Sequence, residues 1–233
     1  MTRTKISTTL LLVFLQLVTL AQVSLPRSIP EVEGVASAGI SQFIDAVNKT
    51  KNEMHSLMIL RHGKVIAESW WTPYRADLRH TMYSCSKSFT ATAIGFAVAE
   101  KKLSVDDKVI SFFPGDKPDT ISPFLEELSI KHLLTMSVGQ AIDPTFGVAS
   151  REDNWVKGFL AIPITFKPGS RFLYNSLATY MLSAIIQKVT GQKVIDYLQP
   201  RLFEPLGIVG ADWEVDPKGI NVGGWGLRIK TED

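Results

Sequence analysis

The sequence predicts an α+β fold: an antiparallel sheet flanked by helices, with a mostly helical second lobe and C-terminal strands that look incomplete. Three observations carry this. Residues 55–71 hold two apolar runs around Gly63, the pattern of a β-hairpin. From Ser84 to about Glu204, helical periodicity dominates. After residue 211 the pattern returns to short strands and turns around Trp213, Val215, Pro217 and Gly219. The hairpin needs sheet partners, and on this reading it finds them after the helical insert.

At the N-terminus, Arg3 and Lys5 precede an apolar run, Leu10 to Leu20, and a small residue, Ala21. This is the layout of a signal peptide over residues 1–21, with a cut after Ala21. It predicts export to a periplasm or the exterior. The run is short for a membrane span, so no stable span is expected after processing, an uncleaved anchor being the alternative. Cleavage would remove two positive charges and lower the net +2 to zero. No cysteine stands at the cut, so no lipid is expected there.

Residues 22–36, with Pro26, Pro30 and Gly34, read as a loose leader. A helix is predicted over 37–50, where Ile40, Phe43, Ile44 and Val47 share one face. The hairpin follows, with His62 exposed at its turn. A helix over 84–101 is rich in small apolar residues (Ala91, Ala93, Ala97), which suits a buried central position. Ser104 to Asp107 offers a cap, and Pro114 ends the next element. Short helices are predicted near 129–136 and 152–160, with loop over 137–151. A strongly apolar helix spans about 176–190 and ends at Gly191. Another covers about 192–204, where Pro200 predicts a kink or break.

Composition excludes some functions. Charge is nearly balanced, 25 Lys+Arg against 23 Asp+Glu, with no basic block, so no nucleic-acid partner is expected. His55, His62, His80 and His132 lie in no metal-ligand spacing, so no metal or other cofactor is expected. The lone cysteine, Cys85, allows no internal disulfide and reads as a small buried filler.

The chemistry gathers at Tyr83-Ser84-Cys85-Ser86-Lys87. Ser84 and Lys87 are three apart, so on a helix they share a face. A serine hydroxyl needs a neighbouring base or charge to become a nucleophile, and a helix N-terminus supplies N–H donors for an oxyanion. Alone the spacing means little: roughly one Ser-x-x-Lys arises by chance in a chain of this length. The bland alternative is a capping serine with an exposed lysine one turn on. Tyr174, just ahead of the 176–190 helix, is either a core aromatic or a phenol that a nearby ammonium could turn into a general base. Asn175 and Ser176 by themselves read as a helix N-cap.

Together the pieces resemble the serine hydrolases related to class C β-lactamases and D-alanyl-D-alanine carboxypeptidases. The resemblance covers about 37–233. It rests on Ser84-x-x-Lys87 after the hairpin, Leu103-Ser104-Val105-Asp106-Asp107, Ile130-Lys131-His132-Leu133-Leu134-Thr135-Met136, and Pro168-Gly169 followed by Phe172-Leu173-Tyr174-Asn175-Ser176. It rests also on Thr190-Gly191, Glu204-Pro205-Leu206-Gly207 and Gly224-Trp225-Gly226-Leu227. It implies a β-lactamase/transpeptidase-like fold and an acyl-enzyme mechanism on a small-molecule or peptide-like amide, ester or β-lactam. Ser84 would be the nucleophile, Lys87 its activator, Tyr174 the general base and Ser176 a substrate contact, with the Ser84 N–H as one oxyanion donor.

Two departures matter. Ser176 stands where many members have Asn, which shifts the expected substrate toward esters or other acyl compounds. The third motif, Lys or His followed two residues later by Gly on a strand, is missing; Lys230-Thr231-Glu232 is a decoy. The expectation is therefore an N-terminal fragment of a longer hydrolase. The alternatives are an inactive truncation, or a non-catalytic relative that binds peptidoglycan-like or other acyl ligands. A Ser-His-Asp hydrolase using His80 is a distant third, since no Gly-x-Ser-x-Gly elbow occurs.

Overall fold

A computed structural model describes residues 24–233; the signal-peptide reading of 1–21 lies outside the described residues. Helix α1 (Ser37–Asn48) precedes a hairpin of β1 (Ser56–Arg61) and β2 (Lys64–Trp70). His62 and Gly63 make its turn with φ of 50° and 75°, the doubly left-handed geometry that matches strand twist. From residue 24 on, the segment read as a loose leader is docked instead. Pro26 and Ser28 exchange backbone hydrogen bonds with Val65 at 2.7 and 3.0 Å, which pairs Arg27 in parallel on the outer edge of β2. A strand edge with open N–H and C=O groups recruits such a segment.

Glu33, which ends the short 3-10 turn Pro30–Glu33, fastens this segment to the hairpin. Its buried carboxylate accepts from Lys64 Nζ and Ser28 Oγ, both at 2.7 Å, and lies 3.0 Å from His62 Nδ1. The Lys64 ammonium first, then Ser28 and His62, hold the Glu33 carboxyl down at about 2 against the resistance of burial. The stabilisation is therefore complete above the ordinary carboxylate range and is lost as pH falls from about 4.5 through 2. Thermal melts across this window should show a steep decline for the parent and a shallower one for Glu33→Gln, which starts less stable near neutrality.

Strand β3 (His80–Thr81) leads into a 3-10 turn, Tyr83–Cys85, and then α2 (Ser86–Ala99). A helical stretch follows: α3 (Pro123–Glu127), α4 (Ile130–Leu134), α5 (Thr145–Ala149), α6 (Trp155–Ala161), α7 (Ser176–Thr190), α8 (Val194–Leu198) and α9 (Glu204–Leu206). Strands β4 (Asp212–Trp213) and β5 (Leu227–Ile229) complete the order. The predicted loop at 137–151 contains α5, too short for its periodicity to show. At Pro200 the chain widens into a π-helical turn, Gln199–Phe203, because proline cannot donate to the α ladder.

The α+β class holds, but the sheet is divided. Among the described residues the hairpin adds only the Arg27 bridge on β2 to its own pairing, while the second sheet runs β3-β5-β4, all antiparallel. Both edges of β5 are taken, by His80↔Ile229 and by Trp213↔Leu227, so it cannot also receive the hairpin. Side chains join the two sheets instead, Thr231 Oγ1 to Ser56 Oγ at 2.8 Å and Arg27 to Glu232 at 2.6 Å.

The central helix is α7, not α2. Every residue from Leu177 to Ile186 is buried, which fits an element packed against α2, α4, α6 and α8. Two of its buried polar groups reach the segment before β5: Tyr180 donates to Asp216 Oδ2 at 2.7 Å and Ser183 to the Asn221 carbonyl at 2.6 Å. Helix α2 buries one face, Ser86, Thr90, Ala93, Ile94 and Ala97; its small residues allow close approach to α7. In α1 the predicted apolar face is only half-buried, and Phe43 is exposed.

Candidate active site

The local sequence explains how the site is held. Asn175 caps α7, its side chain accepting from Ala178 N at 3.0 Å, so Tyr174 ends the extended segment before the helix. That segment is anchored where Leu173 N donates to the Met136 carbonyl at 2.9 Å. Tyr83, immediately before Ser84, has φ of 44°. A bulky residue in the left-handed region costs of order 1–3 kcal/mol and points to a backbone held for a purpose. Nothing in the sequence signals it.

Ser84, Lys87, Tyr174 and Ser176, far apart in the chain, come together. The Tyr174 hydroxyl lies 2.6 Å from Ser84 Oγ. Lys87 Nζ reaches Ser84 Oγ at 3.3 Å, Ser176 Oγ at 3.0 Å and the Gly224 carbonyl at 2.6 Å. An ammonium has three donors and no acceptor, and Ser84, Ser176, Gly224 and the Tyr174 phenol share them. Lys87 Nζ also sits 4.8 Å from the centre of the Tyr174 ring. Partial burial is the largest influence on the Tyr174 phenol and pushes its pKa up. Hydrogen bonds from Lys87 and Ser84, the Lys87 charge and Ser176 outweigh it, leaving the phenol below its ordinary range.

Several sequence readings change here. Cys85 is exposed, not a buried filler; the buried small residue is Ser86, whose Oγ accepts from Leu227 N at 3.2 Å and ties α2 to β5. A one-residue advance along a tight turn reverses which side chain faces inward. His80 is engaged elsewhere, its Nδ1 3.2 Å from His55 Nδ1. Around Lys230-Thr231-Glu232, Thr231 bonds Ser56 and Glu232 bonds Arg27 and Leu25, contacts that belong to the hairpin and its docked strand. Among the aromatics nearby, Trp155 is core, stacked on Trp225, while Phe146 is exposed.

The residue missed is Gly224. The paired glycines Gly223-Gly224 were the available signal, since adjacent glycines mark close backbone approach. A Cβ at 224 would lie 2.7 Å from the Ser176 carbonyl oxygen and 3.1 Å from Ser176 Cβ. Gly224→Ala is expected to push this loop off Ser176 and withdraw the carbonyl from Lys87. We expect a loss of about 1–3 kcal/mol in denaturant unfolding, and a covalent serine probe reacting at least about tenfold more slowly.

The beta-lactamase family model matches residues 43–229. Over 196 residues the chain is 26% identical to an Escherichia coli K12 protein that carries the provisional name D-alanyl-D-alanine carboxypeptidase, covering 72% of this chain and 44% of that protein. The chain thus spans less than half the length of that relative. Among solved structures, a protein provisionally named 6-aminohexanoate-dimer hydrolase from Bacillus anthracis aligns with TM-score 0.69 and 19% identity over 83% of this chain and 54% of that one. A beta-lactamase/D-alanine carboxypeptidase from Pseudomonas syringae aligns with TM-score 0.67 and 21% identity over 85% and 63%. At these identities the two structures speak for the fold alone. The family match runs from within α1 to the end of β5 and takes in both segments that meet at Ser84, and on that ground the chain belongs to the beta-lactamase family.

Proposed function

We propose that the chain carries the acylation machinery of a serine hydrolase acting on an amide, ester or β-lactam, with Ser84 as nucleophile, Tyr174 as general base and Lys87 as the fixed charge that favours phenolate. The observation behind this is the placement of Lys87 Nζ within hydrogen-bond reach of Ser84 Oγ, Ser176 Oγ and the Gly224 carbonyl, with the Tyr174 oxygen 2.6 Å from Ser84 Oγ. Tyr174 phenolate takes the Ser84 proton as Oγ attacks the carbonyl carbon. The tetrahedral intermediate collapses, Tyr174 returns the proton to the departing nitrogen or oxygen, and an acyl-enzyme remains. Water, giving its proton to the same Tyr174 phenolate, then attacks the acyl carbon and releases the acid, and the proton returns to Ser84 Oγ. Ser176 orients the ammonium and meets the substrate. The same reading extends to export directed by residues 1–21. Among the described residues no helix is long and apolar enough to cross a membrane.

A fluorophosphonate probe followed by peptide mapping tests this. One adduct per chain is expected, on Ser84, and Cys85→Ala should keep it. An adduct on Cys85, or none at all, would overturn the acylation reading and leave a ligand-binding relative in its place.

A further inference from the structure

Exposed apolar residues stand on the segments that carry Ser84 and Tyr174 and on the loop clamped to Ser176. Tyr83, one residue before Ser84, is 71% exposed, and Phe172, two residues before Tyr174, is 73% exposed. The third group sits on the loop over residues 140–146, which is pinned at both ends to the segment carrying Ser176. Asn175 Nδ2 donates to Gln140 Oε1 at 2.7 Å, and Leu177 N donates to Thr145 Oγ1 at 2.9 Å. Between these clamps Ile142 stands 73% exposed, and beside the second Phe146 stands 85% exposed.

Single exposed apolar residues need no explanation, but four of them on, or clamped to, the segments that carry Ser84, Tyr174 and Ser176 do. Charges in the same segments are engaged. Asp143 accepts from Thr145 N and Oγ1, and the Arg171 guanidinium lies over the Phe166 ring at 4.2 Å. Ile142 is also part of a groove of about 560 Å³ beside α5 and α6, lined further by Val148, Ala161 and Ile162, with Arg151, Glu152 and Lys157 also on its wall. A longer chain leaving the collar at Ile142 has a place to run.

We infer that Tyr83, Phe172, Ile142 and Phe146 form an apolar collar for the acyl group of the substrate, so that the site takes esters or amides of medium-length aliphatic or aromatic acids in preference to short ones. This rests on the acyl-transfer reading above and narrows it to a substrate class. Binding and turnover separate the two. For turnover, kcat/KM is compared for p-nitrophenyl acetate and p-nitrophenyl hexanoate. The hexanoate should be favoured about tenfold, the value for roughly half-burial of four methylenes. The Phe146→Ala/Phe172→Ala double variant should bring the ratio close to one, and Leu206→Ala, an exposed apolar position on α9, should leave it unchanged.

For binding, Ser84→Ala cannot turn over, so the affinities of the p-nitroanilides of acetate and hexanoate are measured on it directly. The same preference is expected, and it should vanish when Phe146→Ala/Phe172→Ala is added. Ser84-dependent hydrolysis with a flat chain-length ratio, or equal affinities on Ser84→Ala, would sink the collar and leave the acyl-transfer reading standing. Absent hydrolysis with the binding preference intact would sink acyl transfer and keep the collar.

Discussion

Ser84→Ala and Lys87→Met are each expected to lower the rate of fluorophosphonate labelling and of p-nitrophenyl ester hydrolysis by about 10³-fold or more, and the double variant to be no worse than the poorer single. The reason for the non-additivity is geometric. Without Ser84 no oxygen remains for Lys87 and Tyr174 to activate. Without Lys87 the Tyr174 phenol loses the cation that favours its ionised form, and Ser176 Oγ and the Gly224 carbonyl lose their shared donor. Methionine keeps most of the side-chain length, so a fall in activity without a comparable fall in melting temperature separates chemistry from folding. An additive double variant, with each single change losing an independent factor, would show that Lys87 serves the fold and not the serine.

How far the sequence could be read follows from where the information sits. The Ser84–Lys87 spacing, the Asn175 cap, Gly191 in the left-handed conformation at the end of α7 and the break at Pro200 are local. Each was legible because a few consecutive residues decide it. What was hidden depends on partners distant in the chain. Gly224 matters because Ser176 packs on it from 48 positions away, and the division of the sheets follows from β3, at His80, occupying an edge of β5. Burial of Ser86 in place of Cys85 is set by Leu227 reaching down from that strand. The centrality of α7 was visible as composition but not as position: its apolar side chains, Leu177, Met181, Leu182, Ile185 and Ile186, are bulkier than the alanines of α2, and packing against several helices is what they are for. Family motifs bridged some of these distances, placing Tyr174 with Ser84, yet they said nothing of the strained Tyr83 or of the loop clamped by Gln140 and Thr145.

Tyr174→Phe removes one oxygen and keeps the ring against Lys87. We expect the acylation rate to fall by about 10²–10⁴, the range for loss of a general base, with little change in unfolding because the ring is half exposed. The pH profile carries the stronger test. A base works when deprotonated, so the parent's rate should climb with pH through the Tyr174 pKa and level off above it. That pKa is held below the ordinary tyrosine range by Lys87, Ser84 and Ser176 acting against partial burial, so the midpoint of the climb should lie below the ordinary tyrosine value of about 10. In Tyr174→Phe the climb and plateau should be replaced by a shallow dependence on hydroxide. Lys87→Met keeps the phenol but loses the ammonium, so what activity remains should show the climb displaced upward, toward or past the ordinary range, since burial then acts with less opposition. A limb that stays in place in Lys87→Met, or survives in Tyr174→Phe, would assign the proton to another group. The two displacements together distinguish a phenolate base held by a lysine charge from a lysine that takes the proton itself, for which removal of the phenol should leave the limb in place.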